Sequence, residues 1–555
     1  MTLMCACGDD GTNPTAGGGS GGDGGTGAAG GGGQGGDGGG GAAGLSINWT
    51  PCPLSSDASS GEGALCASIP VPLRWDEPTG ETIDFFVKKI PAAMQPPRGQ
   101  LWLLNGGPGY SGADFEGAIQ AQTVDIYLPD HRGTGRSSRL GCPVQEADDS
   151  DGGIGVTDAE MQACADAMIA EWEGKLDGFT ITNAARDVGE VIAATSTPDD
   201  DILVNGGSYG SIWANRYLQI YPDQADGVVM DAFAVGLALT RDDVYFNQLG
   251  EKWMTACAVD PICGAALGPD PFQRMTDAVD GLEAGACPEI AAQGWDRAEL
   301  HLFWSFFLYT WDLRSLIAPM ALRIDRCEPR DVVALQNLRD IFTQPSQPTA
   351  AQRYFSMMLL THIMLSELWE DPAPPASELA DIEANATIAH GIVATAAELY
   401  PSWPRYPLDD YAGGLAETTT PVLMMRGGYD FIPLAAIQPA IDHFSNGNNL
   451  LDVPGAPHGH YAAPQIGGGL SCSAIVRGQF FADPTATLDL SCLDEVAPLP
   501  MVPPSDLSDA VFGTPDPYQG DPNAVFATSA GGAAHEELRV SMARRFQAWR
   551  ASRGL

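Results

Sequence analysis

The segment from Val204 to Ser211, "VNGGSYGS", sets a serine among three close glycines directly after the apolar run "DILV". Glycine weakens strands and helices alike, so three of them around one hydroxyl need a geometric reason. Gly206, Ser208 and Gly210 fill the fixed positions of Gly-x-Ser-x-Gly, ahead of the helical spacing of "SIWANRYLQIYP". In that setting the serine occupies a strained strand-to-helix turn, and its neighbours must be small so that the helix packs close. The helix N-terminus also favours developing negative charge. The chemistry is nucleophilic attack, with Ser208 as the candidate nucleophile.

A serine hydroxyl is a weak nucleophile and needs a base, which in turn needs an orienting acid. Behind such a turn the order along the chain is serine, then acid, then histidine. The histidines after a suitable acid are His443, His458, His460 and His535. His443 lies in the helical run "LAAIQPAIDHF" and His535 in the tail, so both read as surface residues. His458 and His460 share the loop "PGAPHGHY"; His458, between Pro457 and Gly459, is the preferred base and His460 the alternative. The loop after "PVLMMRGG" offers Asp430 as the acid, whereas the alternative, Asp452, falls inside the strand before the histidine loop. A tetrahedral oxyanion needs two backbone N–H donors. Tyr209 supplies one, and the loop "NGGPG" (Asn105 to Gly109) supplies the other, with Gly107 preferred over Gly106.

These residues must be carried by adjacent strand ends. "GQLWLLNGG", "VDIYLPDHRG" and "DILVNGGSYG" are short apolar runs ending in glycine turns, and "TNAARDVGEVIAAT" between the last two has helical spacing. Continuous apolar strands alternating with helices predict an α/β fold with a mostly parallel sheet covered on both faces. Residues 240 to 410 turn mostly helical, with an aromatic block "HLFWSFFLYTW", before the strand pattern returns at "TTTPVLMMRGGYD". The expected organisation is therefore a core from 47 to 237, a helical cap from 238 to 414, the resumed core from 415 to 492, and a Pro- and Asp-rich extension from 493 to 555. That extension ends in a helix with the apolar stripe Leu538, Met542, Phe546 and Trp549, as a docked helix would.

Composition narrows the function classes. The formal net charge is −43, from 28 Lys and Arg against 71 Asp and Glu, which repels nucleic acid and anionic membranes. No stretch of about 18 apolar residues is present to span a membrane. Residues 9 to 46 form a Gly-rich segment expected to be a disordered tether; its stretch from Thr15 to Gly44 holds no apolar side chain larger than alanine and should reach roughly 30 Å. Of twelve cysteines, ten fall into sequence-local pairs: Cys52/Cys66, Cys142/Cys164, Cys257/Cys263, Cys287/Cys327 and Cys472/Cys492. Without knuckle spacing or a histidine cluster they argue against a metal and for disulfides in an oxidising compartment. The opening "MTLMCACG" (residues 1 to 8) resembles the end of a bacterial lipoprotein signal whose front is missing, with Cys7 as the residue to be acylated, so a lipid anchor at the N-terminus is expected and the true start upstream.

Taken together, the motifs resemble the prolyl aminopeptidase and tripeptidyl aminopeptidase family of α/β-hydrolases, over roughly Trp49 to Cys492. "NGGPG" is similar to that family's His-Gly-Gly-Pro-Gly loop with Asn105 in place of histidine, and "DHRGTGRSS" to its Asp-x-Arg-Gly-x-Gly-x-Ser loop with His131 where glutamine is more usual. "GGSYG", "RGGYDFIP" and the region Ser471 to Cys492 complete the resemblance. It implies an extracytoplasmic exopeptidase acting on peptides, with neither metal nor organic cofactor. A cap carboxylate should then hold the substrate α-ammonium, and "SELWED" offers Glu367 and Glu370. The aromatics from Phe303 to Trp311 are expected to pack the cap rather than line a pocket. Two other readings stay open: an esterase using the same triad, and a non-catalytic surface lipoprotein that binds peptides. Epoxide hydrolase or dehalogenase chemistry is disfavoured, because it takes an aspartate where this chain has Ser208.

Overall fold

A computed structural model describes residues 44–58, 60–116, 123–344, 347–444, 450–459, 463–518 and 533–551. Its centre is a nine-stranded sheet in the order β1-β2-β3-β5-β4-β6-β7-β8-β9. The strands are β1 (Thr50–Cys52), β2 (Ala64–Pro72), β3 (Thr82–Ile90), β4 (Gly99–Leu104), β5 (Asp125–Pro129), β6 (Asp201–Gly207), β7 (Gly227–Asp231), β8 (Val422–Gly427) and β9 (Leu450–Val453). β1, β2 and β3 pair antiparallel, as does β3 with β5; every later pairing is parallel.

The continuous apolar runs are explained by burial on both faces. β4, β5 and β7 are buried at every position. Side chains alternate between two layers: Trp102, Leu104, Tyr127 and Val204 pack against the helices Ile181–Thr195 and Tyr209–Ile220. Leu101, Leu103, Ile126 and Leu203 face the opposite layer with Val476 and Phe480 of the helix Cys472–Ala482. This is the two-sided arrangement expected from the sequence.

From β4 the chain crosses to β5 on one side and returns to β6 on the other. The loops leaving β4 and β6 therefore diverge at the carboxyl edge of the sheet, a switch point where open α/β sheets place their sites. A long, mostly helical region, from the turn at Leu239–Arg241 to the helix Val393–Leu399, separates β7 from β8. The terminal helix Ala533–Ala551 lies on that region, with Met542 and Phe546 fully buried.

Among the described residues, five disulfides join the sequence-local pairs Cys52–Cys66, Cys142–Cys164, Cys257–Cys263, Cys287–Cys327 and Cys472–Cys492. The first fastens the edge strand β1 to β2, and the last fastens the helix Cys472–Ala482 to the turn Ser491–Glu495. No helix among the described residues is long and apolar enough to cross a membrane. The expected tether and Cys7 lie outside the described residues.

Candidate active site

Ser208 stands between β6 and the helix Tyr209–Ile220 with φ 55° and ψ −121°, a conformation that costs a non-glycine residue energy. The glycines around it are required by contact. A Cβ on Gly206 would come within 2.0 Å of the Gly210 carbonyl oxygen, and one on Gly210 within 2.1 Å of the Leu104 carbonyl oxygen. The Ser208 amide donates to the Asp231 carbonyl at 2.8 Å, and the Ser211 hydroxyl donates to the Ser208 carbonyl, so the strained turn is held on both sides.

The acid and the histidine arrive from the next two strand ends. After β8, Gly428 donates to the Val453 carbonyl and Tyr429 to the Ala456 carbonyl, lacing the two loops together. Gly427 permits that approach, since a Cβ there would lie 2.2 Å from the Ala456 and Pro457 carbonyl oxygens. Asp430 and His458 are both buried, at 7 % and 8 % exposure. His458 Nδ1 lies 2.8 Å from Asp430 Oδ1, and His458 Nε2 lies 2.8 Å from Ser208 Oγ. A carboxylate only accepts, so Nδ1 carries the proton and Nε2 is free to accept from the serine hydroxyl. The Ile432 amide donates to Asp430 Oδ1, fixing the carboxylate from behind. Asp452 is instead paired with Arg426, and His443 faces the Ala416 carbonyl. His460 lies outside the described residues, and of the His535 side chain nothing is described.

The candidate amide donors are Tyr209, next to Ser208 in the chain, and a glycine of the β4 loop. Tyr209 opens a helix, where the first N–H groups have no intrahelical acceptor. On the β4 loop, the Gly106 amide is taken by Asn105 Oδ1 at 2.7 Å, whereas among the described residues no hydrogen bond takes the Gly107 amide. Gly107 has φ +103°, a conformation suited to glycine, and a Cβ on neighbouring Gly106 would already lie 3.1 Å from Ser208 Cβ. This favours Gly107 over Gly106 as the second donor.

Supporting residues to which sequence reasoning gave no role in the site surround it. Asn105 also donates to the Ser111 carbonyl and to Asp114 Oδ2, so one amide side chain shapes the whole β4 loop. Burial, then the neighbouring Asp130, pushes the Asp114 carboxyl up to about 7. His131 lies 2.6 Å by Nδ1 from the Arg132 carbonyl, which can only accept; its Nε2 therefore accepts from the Tyr209 hydroxyl at 3.0 Å. Burial holds the His131 ring neutral, down to about 3. From the helical region, the buried Arg314 donates to the Gly455 carbonyl at 2.8 Å and pins the histidine loop. The departures at Asn105 and His131 were visible in the sequence; their contacts were not.

The cap glutamates are both engaged. Glu367 forms a buried ion pair with Arg216 through one oxygen and accepts from the Tyr406 hydroxyl at 3.0 Å with the other. Glu370 is held by Thr240 and Arg241. A different acidic pair lies near the triad. Asp242 binds His390 Nδ1, and Asp243 Oδ1 accepts from the His390 and Gly391 amides at 2.8 Å. Asp242 Oδ1 and Asp243 Oδ2 are buried with no partner among the described residues. Burial, then Asp242, holds the Asp243 carboxyl above the usual range. The His390 ring is 6.1 Å from Tyr309, whose ring stands edge-on to His458 at 5.4 Å. Phe303, Trp304, Phe306 and Phe307 are buried in the helical region as expected, but Tyr309 reaches the triad.

Residues 101–260 match the family model described as alpha/beta hydrolase fold. The chain is 27 % identical over 262 residues to the serine protease Hip1 of Mycobacterium bovis and of Mycobacterium tuberculosis, across 42 % of this chain and 48 % of each relative. The chain thus spans about half the length of the curated relatives it matches. Among solved structures it is similar to proline iminopeptidase of Mycobacterium smegmatis, at 15 % identity and TM-score 0.28, across 70 % of this chain and 91 % of the other. It is also similar to an epoxide hydrolase from an endophytic Streptomyces, at 15 % identity and TM-score 0.29, across 72 % and 91 %. Superpositions this loose say nothing about substrate.

Proposed function

We propose that this chain, a serine hydrolase of the α/β-hydrolase fold, is an extracytoplasmic aminopeptidase that releases single residues or short peptides, such as tripeptides, from free N-termini. The observation that carries the hydrolytic reading is the unbroken chain from Ser208 Oγ through His458 to Asp430. His458 Nε2 takes the hydroxyl proton as Oγ attacks the scissile carbonyl, and Asp430 stabilises the imidazolium. The tetrahedral oxyanion is held by the Gly107 and Tyr209 amides. Collapse breaks the C–N bond, and His458 returns the proton to the leaving amine. Water, activated by the same histidine, then hydrolyses the acyl-enzyme. The peptidase reading is supported by the name of the mycobacterial relatives, and the extracytoplasmic reading by the five disulfides.

Specificity for a free N-terminus requires a carboxylate with an oxygen to spare. Glu367 has both oxygens occupied and its charge balanced by Arg216, and Glu370 is paired with Arg241. Asp242 and Asp243 each keep a buried oxygen without a partner among the described residues, two ring contacts from His458. We assign the amine anchor to this pair in preference to Glu367. An α-ammonium there gains a charge-assisted bond, while an N-blocked peptide leaves the carboxylate desolvated and unpaired.

The test is a panel of aminoacyl and tripeptidyl nitroanilides, their N-acetylated counterparts and simple nitrophenyl esters. Free-amine nitroanilides should be cleaved and N-acetylated ones at least tenfold more slowly. Asp243→Asn should lower kcat/KM for free amines by about 10–100-fold and leave the esters unchanged, the range for a hydrogen bond to a charged group. Turnover of esters alone would establish the esterase reading instead.

A further inference from the structure

The terminal helix Ala533–Ala551 lies beyond the span of the family resemblance, yet it reaches the candidate site. Phe546 is fully buried, with ring centroids 4.4 Å from Phe303, 5.2 Å from Phe306 and 5.4 Å from Phe342. One residue earlier, both terminal nitrogens of Arg545 donate to the Asp312 carboxylate at 3.0 Å. Burial alone would raise the Asp312 carboxyl, but the hydrogen bonds and charge of Arg545 hold it below its ordinary value. These two anchors fix the azimuth of the helix, and Trp549, one turn past Arg545, is carried to the same face. Its ring lies 4.4 Å from Tyr309 and stacks on His390 at 5.2 Å. Tyr309 contacts His458 at 5.4 Å, and Phe431 contacts His458 at 4.6 Å. Ser208, Tyr309, His390 and Trp549 all keep partial solvent access, and the ring contacts run without a break from His458 through Tyr309 to Trp549 and His390.

We propose that the terminal helix completes the substrate pocket, with Trp549 as its far wall limiting the length of the apolar acyl group that reaches Ser208. The proposal rests on the reading of Ser208 and His458 as the reacting pair. The wall is aromatic on the His458 side, through Tyr309 and Phe431, and aromatic again at Trp549. Such a surface takes apolar side chains or acyl chains, and it cannot yield to a longer one without moving the helix that Arg545 and Phe546 hold. Pockets of this kind discriminate by size through the space they leave, about 10–200-fold for a methylene-scale misfit.

The experiment compares nitrophenyl acetate with nitrophenyl octanoate in the wild type, Trp549→Ala and Trp549→Phe, with fluorophosphonate labelling of each. Opening the wall should raise the octanoate-to-acetate ratio of kcat/KM by about tenfold in Trp549→Ala and by less in Trp549→Phe. Labelling rates should stay similar throughout. A merely structural tryptophan would lower the melting temperature or scale both esters equally, and an unchanged ratio in a labelled variant overturns the proposal. Absence of labelling in the wild type overturns the reading of Ser208 itself, so the two failures are distinguishable. If Trp549→Ala does not fold, Arg545→Gln loosens the helix without removing a pocket atom. It should shift the ratio in the same direction, and an unchanged ratio there overturns the proposal as well.

Discussion

The carboxyl edge of the sheet and the helical region above it are organised by different constraints. At the sheet edge, residue identity follows from backbone contact: Gly206, Gly210 and Gly427 each stand where a Cβ would lie 2.0–2.2 Å from a carbonyl oxygen. No larger residue fits, so the sequence has to declare the turn. In the helical region identity follows from volume, as Phe303, Phe306, Phe342 and Phe546 interlock around one another. Many apolar sets fill a space of that size, so the sequence declares only that the region is packed. Polar groups divide the same way. Asp430 is placed by its own strand end, whereas Glu367 owes its environment to Arg216 and Tyr406, 151 and 39 residues away.

The largest expected effect tests the sheet edge. Ser208→Ala and His458→Ala should each lower kcat by about 10⁴-fold or more, and Asp430→Ala somewhat less, while circular dichroism melts stay near the wild type. The Ser208→Ala, His458→Ala double variant should be scarcely worse than the worse single, because the triad acts as a unit. Retention of a tenth of wild-type turnover in any single variant would move the chemistry elsewhere.

Glu367→Ala tests the helical region. It removes the close, buried ion-pair partner of the Arg216 guanidinium and leaves it only the half-exposed Asp409 at 3.9 Å, and breaking a buried pair costs about 3–5 kcal/mol. The expected result is a large loss in denaturant stability, with nitroanilide and ester turnover in the surviving folded enzyme reduced by the same factor. A loss confined to free-amine substrates would restore Glu367 as the amine anchor and break the assignment to Asp242 and Asp243.

The smallest effect sharpens the boundary between the two regions, beneath the β4 loop. The Asp114 carboxyl titrates at about 7 in the folded chain against an ordinary 3.8, so the folded state holds its proton longer than the unfolded one. That contribution is fully present below the unfolded value and is lost as pH rises through the folded one. Asp114→Asn keeps a neutral group of the same shape. Relative to wild type it should gain on the order of 1–3 kcal/mol between pH 4 and pH 8 in urea unfolding. A difference that does not change with pH would show that Asp114 does not titrate in this window.

The sheet and the triad were legible because their signals are local. "DILVNGGSYG" carries a strand, a turn and the candidate nucleophile in ten consecutive residues, and "RGGYD" and "PHGH" follow the same strand-then-loop grammar. The five disulfides were legible for a similar reason, since each closes between neighbouring cysteines, at separations of 6 to 40 residues. The carboxylates proposed as the amine anchor were not. Asp242 and Asp243 open a helix, as acidic residues commonly do on any solvated surface, and only the approach of His390, nearly 150 residues later, distinguishes them. Glu367 drew notice by its place in a resembling segment, and its ion pair with Arg216 has no trace in spacing.

By itself, then, the sequence determined the parallel sheet, the strained serine turn, the chain order of Ser208, Asp430 and His458 (the residues proposed as nucleophile, acid and base) and the pairing of cysteines. Each depends on residues adjacent in the chain or on turns that only glycine can make. The tertiary structure alone decided which amide of the β4 loop is left to donate, which cap carboxylates keep a free oxygen, and that Trp549 from the last helix stands one ring away from His458. Those outcomes depend on which distant side chain takes each hydrogen bond or fills each space, a competition settled only when the elements pack together.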